Sequence, residues 1–366
     1  MKICVLGGFG TIGRKVVAKI LANSDKEVVV ADRIDKDPEL VFPGQQERLE
    51  YIKIDAFNVA SIQRAVSHCK IAINCVGPHY RYGILMAKAI IDSGVDGIDL
   101  CNDSSSMPGI LALDSYAKER KVSFLTGLGF SPGLSNLFVL KSIQKLDTIT
   151  SIDINWTGDI LHQAGKAQLD HFLYLANEKT SVYRNGLRFL VPLFSEAQQT
   201  IFAWPFGEME VSQIGSPEII TLPEYISVEN INVKGAIIPN WIQKSIKYSR
   251  YSGLTKDVSP RNTISGLLYK TGQFFSMKSV LNGKVALQVR VKGQRNGVNV
   301  AVQMDAVDYF ASLVALSVAT GAFALARGEV YEKGVFPPEG CLNENRFLTE
   351  ISRLGLVYTI SENFSA

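Results

Sequence analysis

The chain has 366 residues, of which 46% are hydrophobic and 20% charged, an ordinary globular composition with enough length for about two domains. Its formal net charge is +3 with both signs mixed, and because no dense Lys/Arg run occurs we expect no nucleic-acid partner. The five cysteines contain no Cys-x-x-Cys pair, so neither a disulfide framework nor a zinc site is indicated. The start of the chain lacks the apolar stretch of a signal peptide, and we therefore expect a cytoplasmic protein with reduced thiols.

The first predicted element is a short apolar strand, residues 3–6, that runs directly into a glycine-rich turn and then a helix. In this strand–turn–helix context, a Gly-x-Gly-x-x-Gly spacing is the fingerprint of a dinucleotide-binding turn. Its first glycine allows the tight turn, its second lets the backbone approach a pyrophosphate, and its third lets helix and strand pack closely. The predicted cofactor-binding residues of this turn are Gly8, Phe9, Gly10, Thr11, Ile12 and Gly13.

A second predicted strand, residues 27–31, ends in Asp32, about twenty residues beyond the glycines, where an acid that binds the ribose 2′-OH is expected. An acid at this position repels a 2′-phosphate and favours NAD. The adjacent Arg33 is able to accommodate the 2′-phosphate of NADP instead, so both cofactors stay open, with NAD favoured.

Strand and helix patterns continue to alternate up to residue 125, which predicts a Rossmann-type, doubly wound parallel sheet of the α/β class. In such sheets ligands bind at the carboxyl ends of the strands. We therefore expect the loops at residues 77–83, 100–106 and 127–133 to border the site. Further predicted cofactor-binding residues lie at the ends of the third and fourth predicted strands or directly after them, namely Asp55, Cys75, Val76, Gly77 and Pro78.

From about residue 148 the pattern changes to alternating strands with intervening helices, which predicts an α+β domain. Residues 309–326 carry no charge and approach the length of a membrane span, but their Ala, Ser, Thr and Gly content and the bordering charges favour a buried or subunit-packing helix. We expect a dinucleotide-binding domain at residues 1–127, an α+β domain at 128–330, and a C-terminal αβ unit at 331–366 that returns to the first domain.

Several stretches of the chain, spread nearly from end to end, carry a family resemblance: residues 7–13 with 31–33, 74–83 with 94–100, 129–137, 182–186, and 334–339 with 347–348 and 354–356. Together they resemble the saccharopine dehydrogenase family, particularly its lysine-dehydrogenase-like branch. The resemblance implies that residues 128–330 are an inserted substrate and dimerisation domain. It also implies an NAD(P)-dependent oxidoreductase that transfers hydride at a carbon bearing an amine or imine of a lysine- or saccharopine-like substrate. In one respect the chain departs from the family, because Ser131 stands where saccharopine-forming members tend to have Asp before Pro-Gly.

The catalytic candidates lie in three of the predicted loops. His79 or Tyr80 would accept the proton that an amine loses on oxidation, and Arg81 would bind a substrate carboxylate, unless these residues only seal their loop. At the end of the next strand, Asp99 is expected to cap or brace its loop and Asp103 to reach the substrate amine, with a purely structural role as the alternative for each. Ser131 is a plausible helix N-cap with Pro132 at the first helical position, and the resemblance also places this turn at the nicotinamide.

Two other interpretations were weighed. A short-chain dehydrogenase needs a Tyr four residues before a Lys, and no Tyr of this chain has one. A dinucleotide-binding sensor or scaffold without turnover remains an alternative, since no unmistakable catalytic residue is present. The spacing of His162 and His171 does not suit a metal site. The sequence thus predicts an oxidoreductase with a small-molecule amine or amino-acid substrate, no metal, no membrane association, and a homodimeric state.

Overall fold

The computed structural model describes residues 1–34, 37–159, 166–276, 281 and 283–364. These residues form two compact units. The first consists of Met1–Leu134 and Ala311–Gly355, and the second of Ser135–Phe310 and Leu356–Ala366. The second unit is therefore inserted in the first, apart from the last few residues.

The first segment of the chain alternates strands and helices. Its elements are β1 (Lys2–Leu6), α1 (Gly13–Asn23), β2 (Glu27–Asp32), α2 (Pro38–Val41), β3 (Leu49–Lys53), α3 (Val59–Val66), β4 (Ile71–Asn74), α4 (His79–Asp92), β5 (Asp96–Asp99), α5 (Met107–Leu111), α6 (Asp114–Glu119) and β6 (Ser123–Leu125).

The second unit then follows with α7 (Leu134–Ile143), β7 (Thr148–Gly158), α8 (Lys166–Leu175), β8 (Lys179–Arg184), β9 (Leu187–Pro192), β10 (Gln198–Phe202), β11 (Gly207–Gln213), α9 (Glu218–Thr221), β12 (Asn230–Ile237), α10 (Asn240–Ser249), α11 (Val258–Ser276), β13 (Lys284–Arg295) and β14 (Val298–Tyr309). The chain ends with α12 (Phe310–Ala326), β15 (Gly334–Phe336), α13 (Pro338–Cys341), α14 (Glu344–Arg353) and β16 (Tyr358–Phe364).

The first unit is built on a parallel sheet with the strand order β15-β6-β5-β4-β1-β2-β3. Ile3 of β1 lies between Val28 of β2 and Ile71 of β4, and all three side chains are buried. Strands covered on both faces read as continuous apolar runs, as these do. The order reverses between β1 and β4, so this point is the topological switch point at which doubly wound sheets bind ligands. The predicted fold class is confirmed.

Helix α12 explains the uncharged stretch near residue 309. Its residues from Ala311 to Leu325 are buried nearly without exception. A Cβ on Gly321 would lie 2.2 Å from Leu128 Cδ2, so the helix packs closely on the segment that follows β6. The expected buried core helix is confirmed. Within the described ranges, no helix combines the length and the apolar character that crossing a membrane requires.

The second unit contains a mixed sheet with the order β10-β11-β12-β7-β13-β14-β16, to which β8 and β9 are attached through β12. Its centre is the parallel pair β7–β12, and β13 and β14 form a long antiparallel hairpin. Asn296 and Gly297, both with positive φ, make the two-residue turn of that hairpin.

The observed boundaries differ from those expected in two places. The apolar helix α12 belongs to the first unit, because a helix that is apolar all round has to be covered on every side. The last strand does not return to the first unit. Instead β16 pairs antiparallel with β14, and within the expected return only residues up to Gly355 belong to the first unit.

Candidate functional site

The glycine-rich turn connects β1 to α1, and two of its glycines are required by packing. A Cβ on Gly13 would lie 2.1 Å from the Gly7 carbonyl oxygen, and one on Gly8 would lie 2.8 Å from Val30 Cγ1. Gly7 itself has a φ of +76°. This part of the turn can therefore be built only with glycine at both positions.

Gly10 differs from these two because its face is open. It is exposed, and the nearest atom to an added Cβ would be the Gly7 carbonyl oxygen at 3.1 Å. Just beyond it, the backbone N–H groups of Thr11, Ile12 and Gly13 donate to no acceptor in the part of the chain that the structure describes. Free N–H groups at the start of an 11-residue helix form an anion-binding cradle, and the absent side chain of Gly10 lets a phosphate approach it.

Asp32, at the end of β2, is buried and braces the turn. Its Oδ2 accepts from the Phe9 N–H at 2.9 Å and its Oδ1 accepts from the Ile34 N–H at 3.1 Å. The adjacent Arg33 is exposed. Asp55 lies in an exposed turn after β3, where its Oδ1 accepts from the Phe57 N–H at 2.9 Å.

The segment after β4 forms the other wall of the switch point. A Cβ on Gly7 would lie 3.2 Å from both the carbonyl carbon and the carbonyl oxygen of Cys75, so the backbones of the two loops approach closely. Asn74 Oδ1 accepts from the Val76 N–H at 3.0 Å and holds the bend, and the Gly77–Pro78 peptide is cis. Burial raises the pKa of the Cys75 thiol to about 12, so this thiol is protonated at neutral pH.

His79, Tyr80 and Arg81 were expected in a loop but form the first turn of α4, because Pro78 stands at its N-cap position with extended backbone. The His79 side chain is buried. The backbone carbonyl oxygen of His79 accepts a hydrogen bond from Ser106 Oγ at 3.0 Å. Arg81 is exposed, with its guanidinium 5.0 Å from the ring centre of Phe57.

Asp103 is fully buried in the loop after β5. Its Oδ1 accepts from Ser105 Oγ at 2.5 Å, from the Ser105 N–H at 3.1 Å and from the Ser106 N–H at 2.8 Å. This carboxylate braces the loop that leads into α5, which is the structural alternative weighed for it.

Ser131 is not a helix N-cap, because α7 begins only at Leu134. The Ser131–Pro132 peptide is cis, and Gly133 has a φ of +121°. The turn closes on itself through the Gly129 N–H, which donates to the Pro132 carbonyl at 2.9 Å. A Cβ on Gly133 would lie 2.2 Å from the Gly129 nitrogen, so the turn brings two backbones into direct contact.

Two buried polar groups were not selected from the sequence. Asn74 ends β4, and the only signal for it was a polar residue at the end of an apolar run. Glu218, in the second unit, is buried and accepts from Ser135 Oγ at 2.8 Å, an arrangement that no sequence pattern indicates. Of the two histidines considered for this unit, His171 is buried on α8, whereas His162 lies outside the described residues.

Comparisons with known proteins agree with this architecture. Residues 3–126 match the family model for the saccharopine dehydrogenase NADP binding domain. The saccharopine dehydrogenase-like oxidoreductase of Mus musculus is 28% identical over 113 residues, which are 30% of this chain and 26% of the mouse protein. The protein from Rattus norvegicus is 28% identical over 27% of this chain and 24% of its own length. The aligned part thus spans about a quarter of these curated relatives.

Two solved structures share the fold over the whole chain. The apo saccharopine dehydrogenase (L-Glu forming) of Saccharomyces cerevisiae superposes with a TM-score of 0.71 at 15% identity, covering 100% of both chains. The homospermidine synthase of Legionella pneumophila, in complex with NAD, superposes with a TM-score of 0.65 at 12% identity, covering 100% of this chain and 91% of that one. The family resemblance read from the sequence is confirmed for residues 3–126. For the rest of the chain the two structures show the fold, and the lysine-dehydrogenase-like branch stays a prediction.

Proposed function

We propose that this chain, whose first unit carries a saccharopine dehydrogenase-type NADP-binding domain, is an NAD(P)-dependent oxidoreductase acting on a CH–NH or CH–NH2 group of an amino acid or related amine. The observation that carries the proposal is the cradle at the switch point. There, three backbone N–H groups without an acceptor among the described residues stand at the start of α1, beside a glycine without a side chain.

The cofactor's two halves have separate supports on the sheet. The turn after β1 and Asp32 after β2 would hold the pyrophosphate and the adenosine ribose. The loops after β4, β5 and β6 would then border the nicotinamide end, since they lie on the other side of the switch point. A bound nicotinamide dinucleotide would supply the hydride acceptor.

The residues of the chain handle the proton and the substrate charge. When an amine is oxidised to an imine, the carbon loses a hydride and the nitrogen loses a proton, which needs a base. We propose the start of α4 for this role, with His79 or Tyr80 as the base and Arg81 as the carboxylate ligand. The Asp103 carboxylate already accepts hydrogen bonds from its own loop, which favours a positioning role for it. Ser131 is proposed to line the same side through its turn.

NAD is the favoured cofactor. The Asp32 carboxylate is held in place by two backbone N–H groups, so a fixed negative charge stands where a 2′-phosphate would lie. The exposed Arg33 supports NADP instead. Measured dissociation constants for NADH and NADPH separate the two, and tighter binding of NADPH would reject the preference.

The proposal is tested by mixing purified protein with NAD or NADP and a panel of L-lysine, saccharopine, diamines and other amino acids, while the absorbance of reduced nicotinamide is followed. Reduction by one amine supports the proposal. His79→Gln and Tyr80→Phe then identify the base, because only the variant that lacks the proton acceptor should lose the reduction while still binding the cofactor.

A dinucleotide-binding sensor is the second candidate. It is favoured by the engagement of the Asp103 carboxylate, one of the catalytic candidates, in hydrogen bonds of its own loop. Cofactor binding without reduction by any amine would support it and reject the enzyme. The homodimeric state and the cytoplasmic location stay predictions of the sequence.

A further inference from the structure

We propose that Asp99 is a positioning residue, whose carboxylate fixes the loops after β5 and β6 so that they are ordered to receive the nicotinamide end of the cofactor. The inference rests on the proposed function for the identity of the ligand. Asp99 ends β5 and is fully buried, so it acts through these loops and not by touching substrate.

A single oxygen of Asp99 collects three hydrogen bonds. Its Oδ1 accepts from the Cys101 N–H at 3.0 Å, from Thr126 Oγ1 at 2.9 Å and from the Gly127 N–H at 2.9 Å. The Asp99 carbonyl oxygen also accepts from the Leu128 N–H at 2.9 Å. One residue therefore holds the first residues of the loop after β5 and the first residues of the loop after β6. Hydrogen bonds to an ionised acceptor are about twice as strong as those between neutral groups.

The hydrogen bonds continue from Asp99 to the start of α4. Cys101 Sγ contacts the Asp103 carbonyl oxygen at 3.6 Å, the Asp103 carboxylate accepts from the Ser106 N–H at 2.8 Å, and Ser106 Oγ donates to the His79 carbonyl at 3.0 Å. The chain of contacts joins the loops after three neighbouring strands, β4, β5 and β6. The loops after β1 and β2 are held separately, by Asp32.

The second oxygen of Asp99 distinguishes this carboxylate from a simple loop brace. Asp99 Oδ2 and Asn74 Nδ2 are both buried, and neither has a hydrogen-bond partner among the residues described. Asn74 and Asp99 are directly paired in the register of β4 and β5. A fully buried carboxylate oxygen without a donor is costly, so the hydrogen bonds of the described loops do not by themselves account for a carboxylate at this position.

Strands β5 and β6, whose carboxyl ends Asp99 joins, offer a matched control at their amino ends. Asp96 begins β5, and its Oδ1 accepts from the Ser123 N–H of β6 at 2.8 Å and from Lys333 Nζ at 3.2 Å. It joins β5 to β6 as Asp99 does, but at the amino ends of the strands, away from the edge at which ligands bind. Asp96→Asn therefore reports the structural effect of neutralising such a brace.

The experiment compares Asp99→Asn with Asp96→Asn in the full chain. For each variant, dissociation constants are measured for NADH and NADPH by fluorescence and for ADP-ribose, which lacks nicotinamide, by calorimetry. We expect Asp99→Asn to weaken the preferred reduced dinucleotide about tenfold while ADP-ribose changes less than about twofold, because the phosphate turn is held elsewhere. Asp96→Asn should leave the ratio of the two constants unchanged.

If the asparagine variant does not fold, Thr126→Val replaces it, since this removes one of the three donors while retaining a similar shape. Equal ratios in the two aspartate variants, or an equal loss of ADP-ribose and dinucleotide affinity in Asp99→Asn or Thr126→Val, would overturn the inference. If wild-type protein reduces the cofactor, kcat should fall in Asp99→Asn with the ADP-ribose constant retained. If none of the amines in the panel allows wild-type protein to reduce the cofactor, the proposed oxidoreductase fails. The ratio of the binding constants for dinucleotide and ADP-ribose still decides the role of Asp99 in that case.

Discussion

Replacing Gly10 or Gly13 by alanine separates the two tasks of the glycine-rich turn. Both changes add one methyl group to the same turn, three residues apart. At Gly13 the new Cβ would lie 2.1 Å from the Gly7 carbonyl oxygen and 2.8 Å from Gly8 Cα, so the backbone has to move. At Gly10 its nearest neighbour is the Gly7 carbonyl oxygen at 3.1 Å, and the rest of its surroundings are open.

The expected magnitudes follow from these distances. A methyl group forced into a packed site costs about 1–3 kcal/mol, and Gly13→Ala should lose at least that much stability because its contacts are with backbone atoms. Gly10→Ala should cost less than about 1 kcal/mol of stability, because alanine loses less conformational freedom on folding than glycine and has open space there. When cofactor binds to Gly10→Ala, the added methyl group would stand against the pyrophosphate. A loss of about 1–3 kcal/mol of binding free energy would raise the dissociation constant of the cofactor about 5- to 150-fold.

The assay is thermal or urea unfolding of each variant without cofactor, followed by titration with NADH and NADPH. We expect Gly10→Ala to unfold nearly as wild type and to bind weakly, and Gly13→Ala to be clearly destabilised before any cofactor is added. Wild-type affinity in Gly10→Ala would refute the placement of the phosphate at this turn. Wild-type stability in Gly13→Ala would refute the packing argument.

Three further changes test other parts of the site. Asp32→Ala should weaken the binding of NADH more than that of NADPH, because it removes both the ribose acceptor and the charge that repels a 2′-phosphate; equal losses in the two titrations would contradict this. Arg81→Ala should raise the KM of a carboxylate-bearing amine about tenfold or more. The dissociation constant of the cofactor should stay unchanged, since Arg81 packs on Phe57 at the surface and not on the glycine-rich turn. Arg81→Lys, which keeps the charge but not the bidentate geometry, is the control. Cys75 should resist alkylation at pH 9, which equals the ordinary pKa of a thiol, because its own pKa is raised to about 12 and the thiol stays protonated. Labelling of the folded protein is followed by mass spectrometry, and rapid labelling of Cys75 would disprove the prediction.

The sequence predicted the parts of the site that depend on local backbone geometry. The glycine spacing and the strand before it specify the turn because the close contacts of Gly8 and Gly13 lie largely within it. The acid after β2 was expected from its distance along the chain, and Asp32 accepts from the Phe9 N–H of the turn. Asn58 was likewise expected to cap a helix, and its side chain accepts from the Ser61 N–H in the structure.

Features that depend on tertiary contacts were harder to predict. The His79–Arg81 segment was assigned to a loop because helical spacing is clear only further along, yet the turn after cis Pro78 already has helical geometry. The N-cap expected at Ser131 failed because Gly133, with its positive φ, still separates it from the helix. Of the three donors that converge on Asp99, the Cys101 N–H lies two residues on, within the local brace expected for this residue. The other two come from residues 126 and 127, which no spacing along the chain relates to Asp99.

The insertion of the second unit has a consequence for synthesis on the ribosome. When the first six strands have emerged, the first unit still lacks two elements. One is β15, which pairs with β6 through Val335 and Phe124, and the other is the apolar helix α12, which covers the segment after β6. Both follow about two hundred residues later, which at about 5–20 residues per second is a delay of roughly 10–40 s. During that interval the β6 edge and the surface of Leu128 are exposed. A nascent chain halted before residue 311 should therefore depend more on chaperones than the finished protein does.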